Sequence, residues 1–112
     1  MVRRILMLAA VSVLSTLASA QQSAVIALPA ADREIADATR LKALESALSR
    51  SVVAWKGASP GISGSVTPLR TYLAHNGMMC REFEEATQVP DTGVVLNRLA
   101  CRDAQGAWHL VR

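Results

Sequence analysis

The stretch that decides the fold is SVTPLRTYLAHNGMMCREFEEATQVPDTGVVLNRLACRDAQGAWHLV, residues 65–111. Segments suited to β-strands alternate in it with short turn signals, which is typical of an antiparallel sheet. Asn76-Gly77 is the strongest of these signals, because a two-residue hairpin turn needs two residues that accept a positive φ angle. The stretch predicts a meander of about four strands, over residues 65–75, 78–89, 94–101 and 107–111.

An amphipathic helix is predicted ahead of the sheet, over residues 31–50. Its apolar positions recur at steps of three and four residues, as on one face of a helix; they are Ile35, Ala38, Leu41, Leu44 and Leu48. The stripe is modest and the polar face carries mixed charges, which disfavours a membrane-surface helix. Residues 52–55 are also suited to a strand, but glycines and a proline follow them and indicate a loop. We therefore predict an α+β fold in which one N-terminal amphipathic helix packs on the antiparallel meander.

The amino terminus has the three parts of a secretory signal peptide. Arg3 and Arg4 are basic, residues 5–17 are largely apolar, and residues 18–20 (Ala-Ser-Ala) give the small-x-small cleavage pattern. The apolar run is shorter than the ~20 residues that span a bilayer. We predict a signal peptide at residues 1–20, a flexible linker at 21–30 and one domain at 31–112, with no transmembrane segment in the mature chain.

The charge of the chain does not favour a nucleic-acid partner. Twelve lysines and arginines stand against nine acidic residues. Cleavage after Ala20 removes Arg3 and Arg4, so the mature net charge is about +1, and the remaining basic residues are interleaved with acids rather than clustered. Nucleic acid is therefore excluded as a partner.

The two cysteines, Cys80 and Cys101, predict one structural disulfide. Export takes them to an oxidising compartment, in which paired thiols form disulfides. A tight turn centred on residues 91–92 brings them within about two positions of directly opposite on neighbouring strands. The bond leaves no thiol for catalysis, and the cysteines and two histidines (His75 and His109) lack the close spacing of structural zinc ligands.

An acidic run, Glu82, Glu84 and Glu85, is the remaining candidate for acid–base chemistry. Strand alternation sends Glu82 and Glu84 to one face and Glu85 to the other. We interpret the first two as a solvated stripe that pairs with Arg98 and Arg102 on the neighbouring strand. No catalytic residue, metal ion or cofactor is predicted.

The aromatic residues are expected to fill the core between the helix and the sheet; they are Trp55, Tyr72, Phe83 and Trp108. A functional alternative is an exposed basic and aromatic patch of Arg70, Tyr72 and Arg81, next to Thr71. Arginine binds anionic groups well. The patch is therefore a candidate binding site for an acidic polymer or a lipid head group of the cell envelope.

A series of short motifs carries a family resemblance. In chain order they are Trp55, GISGSVTPLRTY (61–72), GMMCREFEE (77–85) and LACRDAQGAWHLV (99–111). This series resembles the carboxy-terminal domain of the bacterial outer-membrane surface-antigen family, which includes the rickettsial seventeen-kilodalton-type antigens. Family members commonly carry a lipobox cysteine and a glycine-rich segment ahead of this domain, and this chain shows neither. The resemblance implies a role in the cell envelope and no enzymatic activity.

These observations together predict a non-catalytic exported protein of surface-antigen type that acts through protein or surface contacts. Its expected location is the periplasm or the outer membrane, and its expected partner is an envelope protein or an anionic envelope component. The alternative is a small periplasmic binding or inhibitor module for an envelope ligand or enzyme. A small hydrolase would require an activity that substitution of Glu82 or His75 removes.

Overall fold

The computed structural model describes residues 26–111. In this part of the chain one helix precedes five strands: α1 (Ala30–Ser46), β1 (Val53–Lys56), β2 (Ser63–Leu73), β3 (Met79–Val89), β4 (Thr92–Arg102) and β5 (Trp108–Val111). The strands form an antiparallel sheet in the order β1-β2-β3-β4-β5. The predicted α+β fold is confirmed. The predicted signal peptide and the first half of the predicted linker lie outside the described residues.

The sheet has one strand more than the meander of about four that we predicted. Residues 53–56 overlap the β-prone run 52–55 that we did not count as a strand, and they pair with β2, with Val53 opposite Val66 and Lys56 opposite Ser63. The glycines and the proline that follow form the connection between these two strands. The turn signal was therefore real, but it lies between two paired strands instead of excluding the first.

Helix α1 ends at Ser46, earlier than the predicted residue 50. Ala47 is already extended, with φ −77° and ψ 140°. Arg50 has a positive φ of 71°, which a right-handed helix does not accommodate. The Arg50 amide donates a hydrogen bond of 2.6 Å to the carbonyl of Pro68 on β2. This contact fixes the point at which the chain turns back towards β1.

The helix packs on the sheet through two alanines and a leucine. Ala36, Ala43 and Leu44 are buried, whereas Leu41 and Leu48 are 52% and 78% exposed. The predicted apolar stripe was therefore wrong at Ala38, Leu41 and Leu48, which are exposed, and right at Leu44. Alanines let the helix approach the sheet closely, and the helix is rotated so that its alanine side faces the core.

The core lies on one side of the sheet, which we call the helix face. It contains Val66, Phe83 and Ala100 beneath the C-terminal half of the helix, and Trp55 with Ile62 beneath the N-terminal half. Trp55 and Phe83 are buried as predicted, and Trp108 is partly buried against the same core.

The opposite side of the sheet, which we call the open face, carries Tyr72. Tyr72 pairs directly with Cys80, and strand alternation places both on the side away from Phe83. The prediction that Tyr72 fills the core was wrong. A register shift between Pro68 and Arg70 inserts one residue into β2 and reverses the alternation that follows it.

The Asn76-Gly77 turn differs from the predicted two-residue type. The Ala74 amide bonds to the Met78 carbonyl at 2.8 Å, and the Gly77 amide bonds to the Ala74 carbonyl at 2.9 Å. Gly77 has a φ of +80°, whereas Asn76 does not have a positive φ. This is the three-residue hairpin loop in which only the last residue takes the left-handed conformation.

Strands β3 and β4 are joined by the tightest turn of the sheet, with Val89 directly opposite Thr92. The register continues without a break to Cys80, which lies opposite Cys101. These two residues form the predicted disulfide, with their Cα atoms 4.0 Å apart. The cysteine prediction is therefore confirmed, and the turn centre lies one residue earlier than predicted.

Candidate binding groove

Helix α1 covers only part of the helix face. It packs mainly over β1 and β2, and a groove runs along its other side above β4 and β5. Two neighbouring cavities of about 390 and 380 Å³ form this groove, and Asp37 and Arg40 of the helix line both of them. Cavities of this size are at the lower end of the range for small-molecule sites.

The first cavity lies at the N-terminal half of the helix and has a mixed lining. Its apolar side chains come from the chain before the helix, from α1 itself and from strands β1 and β4; they are Ile26, Leu28, Ala36, Trp55, Val94 and Leu96. Its charged side chains are Arg33, Asp37, Arg40, Glu85 and Arg98. Three arginines and two carboxylates give this cavity a net positive charge.

Glu85 is the centre of the charged cluster. Its carboxylate accepts hydrogen bonds of 2.6 and 3.0 Å from Arg40 of the helix and one of 2.8 Å from Arg98 of β4. Arg40 also contacts Asp37 at 3.0 Å. Glu85 is buried, so the cluster joins the helix to the middle of the sheet through charge-assisted bonds.

The same cluster changes the acidity of its members. Burial alone would raise the pKa of Glu85, but hydrogen bonds and charge from Arg40 and Arg98 lower it below the ordinary value. Burial would likewise lower the pKa of Arg40, yet the hydrogen bond and charge of Glu85, with Asp37, raise it. Both groups are therefore charged at neutral pH, and Glu85 is not poised to act as a general acid.

The second cavity lies at the C-terminal half of the helix and is lined mostly by apolar groups. Leu41 and Leu44 line it on the helix side, and Ala100, Trp108 and Leu110 line it on the sheet side. The Trp108 indole nitrogen donates a hydrogen bond of 2.8 Å to Glu45, which fixes the ring at the end of the groove. Leu41 and Leu110 are exposed at its rim.

Arg81 does not belong to an exposed patch, so that part of the prediction was wrong. It lies on the helix face, 7% exposed, and donates hydrogen bonds of 3.1, 2.9 and 2.8 Å to the carbonyls of Ala43, Leu44 and Ala47. Its Nε–H group donates to the Thr71 hydroxyl at 2.9 Å. Burial lowers the pKa of Arg81. Arg81 is a C-terminal cap for the helix, where a positive charge is favourable.

Arg70 and Tyr72, the other two predicted patch residues, remain neighbours on the open face. The Arg70 guanidinium carbon lies 4.8 Å from the centre of the Tyr72 ring, and the guanidinium contacts Glu82 at 2.8 Å. This arrangement corrects a second prediction, because Glu82 pairs with β2 and not with Arg98. Arg98 lies on the helix face, where it contacts Glu85. A binding role for Arg70 and Tyr72 stays a prediction.

Two further carboxylates hold loops in place. Asp32 of the helix accepts hydrogen bonds from the Ser59 hydroxyl at 2.6 Å and the Ser59 amide at 3.0 Å, and these bonds lower the pKa of Asp32. Asp103 lies 2.6 Å from His109, a contact that lowers the pKa of Asp103 together with bonds from main-chain amides. Within residues 26–111 no group of three His, Cys, Asp or Glu side chains could hold a metal ion.

The groove was not anticipated from the sequence. Arg40 and Glu85 are far apart in the chain, and the helical pattern gave Arg40 as a surface position. One signal of the charged cluster was available in the sequence: strand alternation placed Glu85 on the opposite face from Glu82, which is the face covered by the helix. The apolar residues at the rim, such as Leu41, were assigned to the core because a hydrophobic period does not tell how much of a sheet a helix covers.

Comparison with known proteins identifies relatives of this chain. A family model described as "17 kDa outer membrane surface antigen" matches residues 42–109. The 17 kDa surface antigen of Rickettsia bellii is 36% identical over 80 residues, which are 71% of this chain and 50% of that protein. The antigens of Rickettsia rickettsii and Rickettsia prowazekii are 36% and 35% identical over the same length.

The chain spans about half the length of the curated relatives it matches. No solved structure matches it. Among the helices of the described residues, none is long and apolar enough to span a bilayer.

Proposed function

Because the chain belongs to the 17 kDa outer membrane surface antigen family, we propose that it is an exported cell-envelope protein that acts without catalysis, through contacts with other envelope components. The name of its relatives and the signal-peptide pattern of residues 1–20 support export. We assign it to the periplasm or to association with the outer membrane.

One observation supports contact rather than catalysis. The buried charged side chains of the described domain are engaged in holding the fold together: Glu85 by two arginines, Arg81 by helix carbonyls and Asp32 by Ser59. By contrast, the groove beside α1 has exposed leucines at its rim. The buried charged side chains therefore serve to hold the fold together, whereas the groove offers accessible apolar surface to a partner.

Export is tested by the intact mass of the protein in periplasmic, outer-membrane and cytoplasmic fractions. We expect a chain that begins at Gln21 in an envelope fraction, with Cys80 and Cys101 alkylated only after reduction. An unprocessed chain that remains in the cytoplasm would refute the proposal.

A second candidate function is that of a small binding module for an envelope ligand, and the first cavity favours it. Apolar walls beside Arg33 and Arg98 suit a ligand with an apolar body and an anionic group. Leu96→Glu puts a negative charge in the cavity and should abolish such binding, whereas Asn97→Glu, on the open face of the same strand, should not. Equal binding by both variants of a ligand recovered from the envelope would exclude the cavity.

A further inference from the structure

Strand β4 is longer than the strand that covers its outer side. It pairs with β3 along its whole length, from Thr92 to Arg102, whereas β5 pairs only with Leu99–Arg102 of β4. The segment of residues 92–98, which we call the β4 edge, has no main-chain partner on its outer side among residues 26–111. Unpaired edges of this kind readily accept another strand.

The disulfide pair shows which groups of the β4 edge point outwards. Cys80 and Cys101 lie directly opposite with their Cα atoms 4.0 Å apart, the close spacing of a pair that exchanges no hydrogen bonds. The amide and carbonyl of Cys101 therefore point away from β3. Because the register with β3 has no break, every second residue does the same, and Gly93, Val95 and Asn97 direct both groups outwards.

The other long edge of the sheet is protected, and the β4 edge is not. Strand β1 covers only Ser63–Val66 of β2, and Pro68 follows on the part of β2 that β1 leaves uncovered. Its carbonyl already accepts a hydrogen bond from Arg50, and proline has no amide hydrogen to donate. A register shift follows between Pro68 and Arg70. Proline and bulges are common protections against strand addition. The β4 edge contains no proline, lysine or register shift.

We infer that the β4 edge pairs with the β4 edge of a second copy of this chain, antiparallel, with the two Val95 residues opposite each other. In this register Gly93 of one copy pairs with Asn97 of the other. Each of the three pairs exchanges two main-chain hydrogen bonds. The segment of seven residues is used completely, because β5 begins to cover β4 at Leu99.

The side chains of the β4 edge are complementary to themselves in this register. On the helix face Val94 lies opposite Leu96 of the partner copy at the close spacing, and Thr92 lies opposite Arg98, so no like charges meet. Asp91 of the partner copy comes one position beyond Arg98 and has the opposite charge. Val95, which is 63% exposed in the single chain, packs side by side with its counterpart on the open face. A second copy supplies this match of apolar and polar side chains by itself, whereas an unrelated peptide would need the same alternation of apolar and polar residues.

The pairing would bring the grooves of the two copies together. Antiparallel neighbours in one continuous sheet share their faces, so both helices lie on the same side. Val94 and Leu96, which line the first cavity of each copy, then meet at the joint. The dimer thereby joins the two grooves into one surface. Such a short interface is at the small end for specific complexes and predicts reversible, concentration-dependent association.

The oligomeric state of the exported, processed chain tests this inference, by size-exclusion chromatography with light scattering from about 10 μM to about 1 mM. We expect the mass to double with concentration. Val95→Pro removes an outward amide and no bond to β3, and should leave the mass unchanged across the range. Val95→Thr keeps the amide and the β-branched shape, and should dimerise as the parent does.

Val95→Lys is a second variant, which brings two positive charges together at the centre of the pair and should also stay monomeric. A parent chain that is monomeric throughout overturns the inference, and so does dimerisation of folded Val95→Pro and Val95→Lys. If neither variant folds, amide exchange of the parent decides. Protection of Gly93, Val95 and Asn97 that rises with concentration supports the pairing. Absence of protection overturns the pairing. Protection that does not depend on concentration also overturns it, and indicates that a segment of the same chain covers the β4 edge.

Discussion

Arg81 of strand β3 donates a hydrogen bond of 2.9 Å to the main-chain carbonyl of Leu44 in the last turn of α1. The helix has no basic residue of its own in that turn, so Arg81 supplies the positive charge there. The end of the helix and the middle of the sheet are therefore stabilised by one side chain.

Replacement of Arg81 should be costly. Arg81→Met keeps most of the side-chain volume but leaves three carbonyl groups without their donor, and we expect a loss of about 2–3 kcal/mol in the free energy of unfolding. Arg81→Lys should lose less, because it keeps the charge but not the fork of donors. The matched control is Arg70→Met, an exposed ion pair that should cost less than about 1 kcal/mol. Urea unfolding measures all three, and equal losses for Arg81→Met and Arg70→Met would contradict the cap.

Glu85 should be the most sensitive acidic position. Glu85→Gln removes the carboxylate that Arg40 and Arg98 share, and we expect a loss of about 2–3 kcal/mol in the free energy of unfolding. Glu84→Gln, on the open face of the same strand, is the control and should change stability by less than about 0.5 kcal/mol. Similar stabilities of the two variants would show that the cluster does not join the helix to the sheet.

The pH dependence of stability follows from the lowered pKa values of Asp32 and Glu85, whose ordinary values are 3.8 and 4.5. The unfolded chain takes up protons at a higher pH than the folded chain, so protonation favours unfolding. The contribution is complete above these ordinary values and is lost as the pH falls through them towards the lower folded values. Unfolding by urea between about pH 6 and about pH 3 should show this loss, with a smaller slope for Glu85→Gln. Stability that rises as the pH falls would contradict the assignment.

Gly64 should not tolerate a side chain. A Cβ atom at this position would lie 2.5 Å from the Trp55 ring and 2.5 Å from the Ala86 carbonyl oxygen, so Gly64→Ala must displace a buried ring or the backbone. We expect a loss of about 2 kcal/mol or more in a thermal or urea transition. At Gly93 the nearest atom is the end of the flexible Gln88 side chain, and Gly93→Ala should therefore have a much smaller effect on unfolding. A harmless Gly64→Ala would mean that Trp55 does not pack across β2.

The parts of the fold that depend on local pattern were predictable, and those that depend on distant contacts were not. Cys80 and Cys101 could be paired because a hairpin turn sets the register of its two strands. Tyr72 was assigned to the wrong face because one inserted residue after Pro68 reverses the alternation, and a sequence rarely shows such an insertion. Arg81 was assigned to the surface because its charge suggests exposure, whereas its partners are helix carbonyls that only the folded chain brings near.

The groove beside α1 is the surface through which we propose that this chain acts, and crosslinking in the cell tests this role most directly. A photo-reactive phenylalanine analogue would replace Leu41, at the rim of the groove, and in a control Lys42, which is exposed but lines neither cavity. We predict crosslinked products in the envelope fraction from position 41, lost when Leu96→Glu is added, and none from position 42. Equal products from both positions, or none from position 41 in a folded and exported chain, would contradict the account.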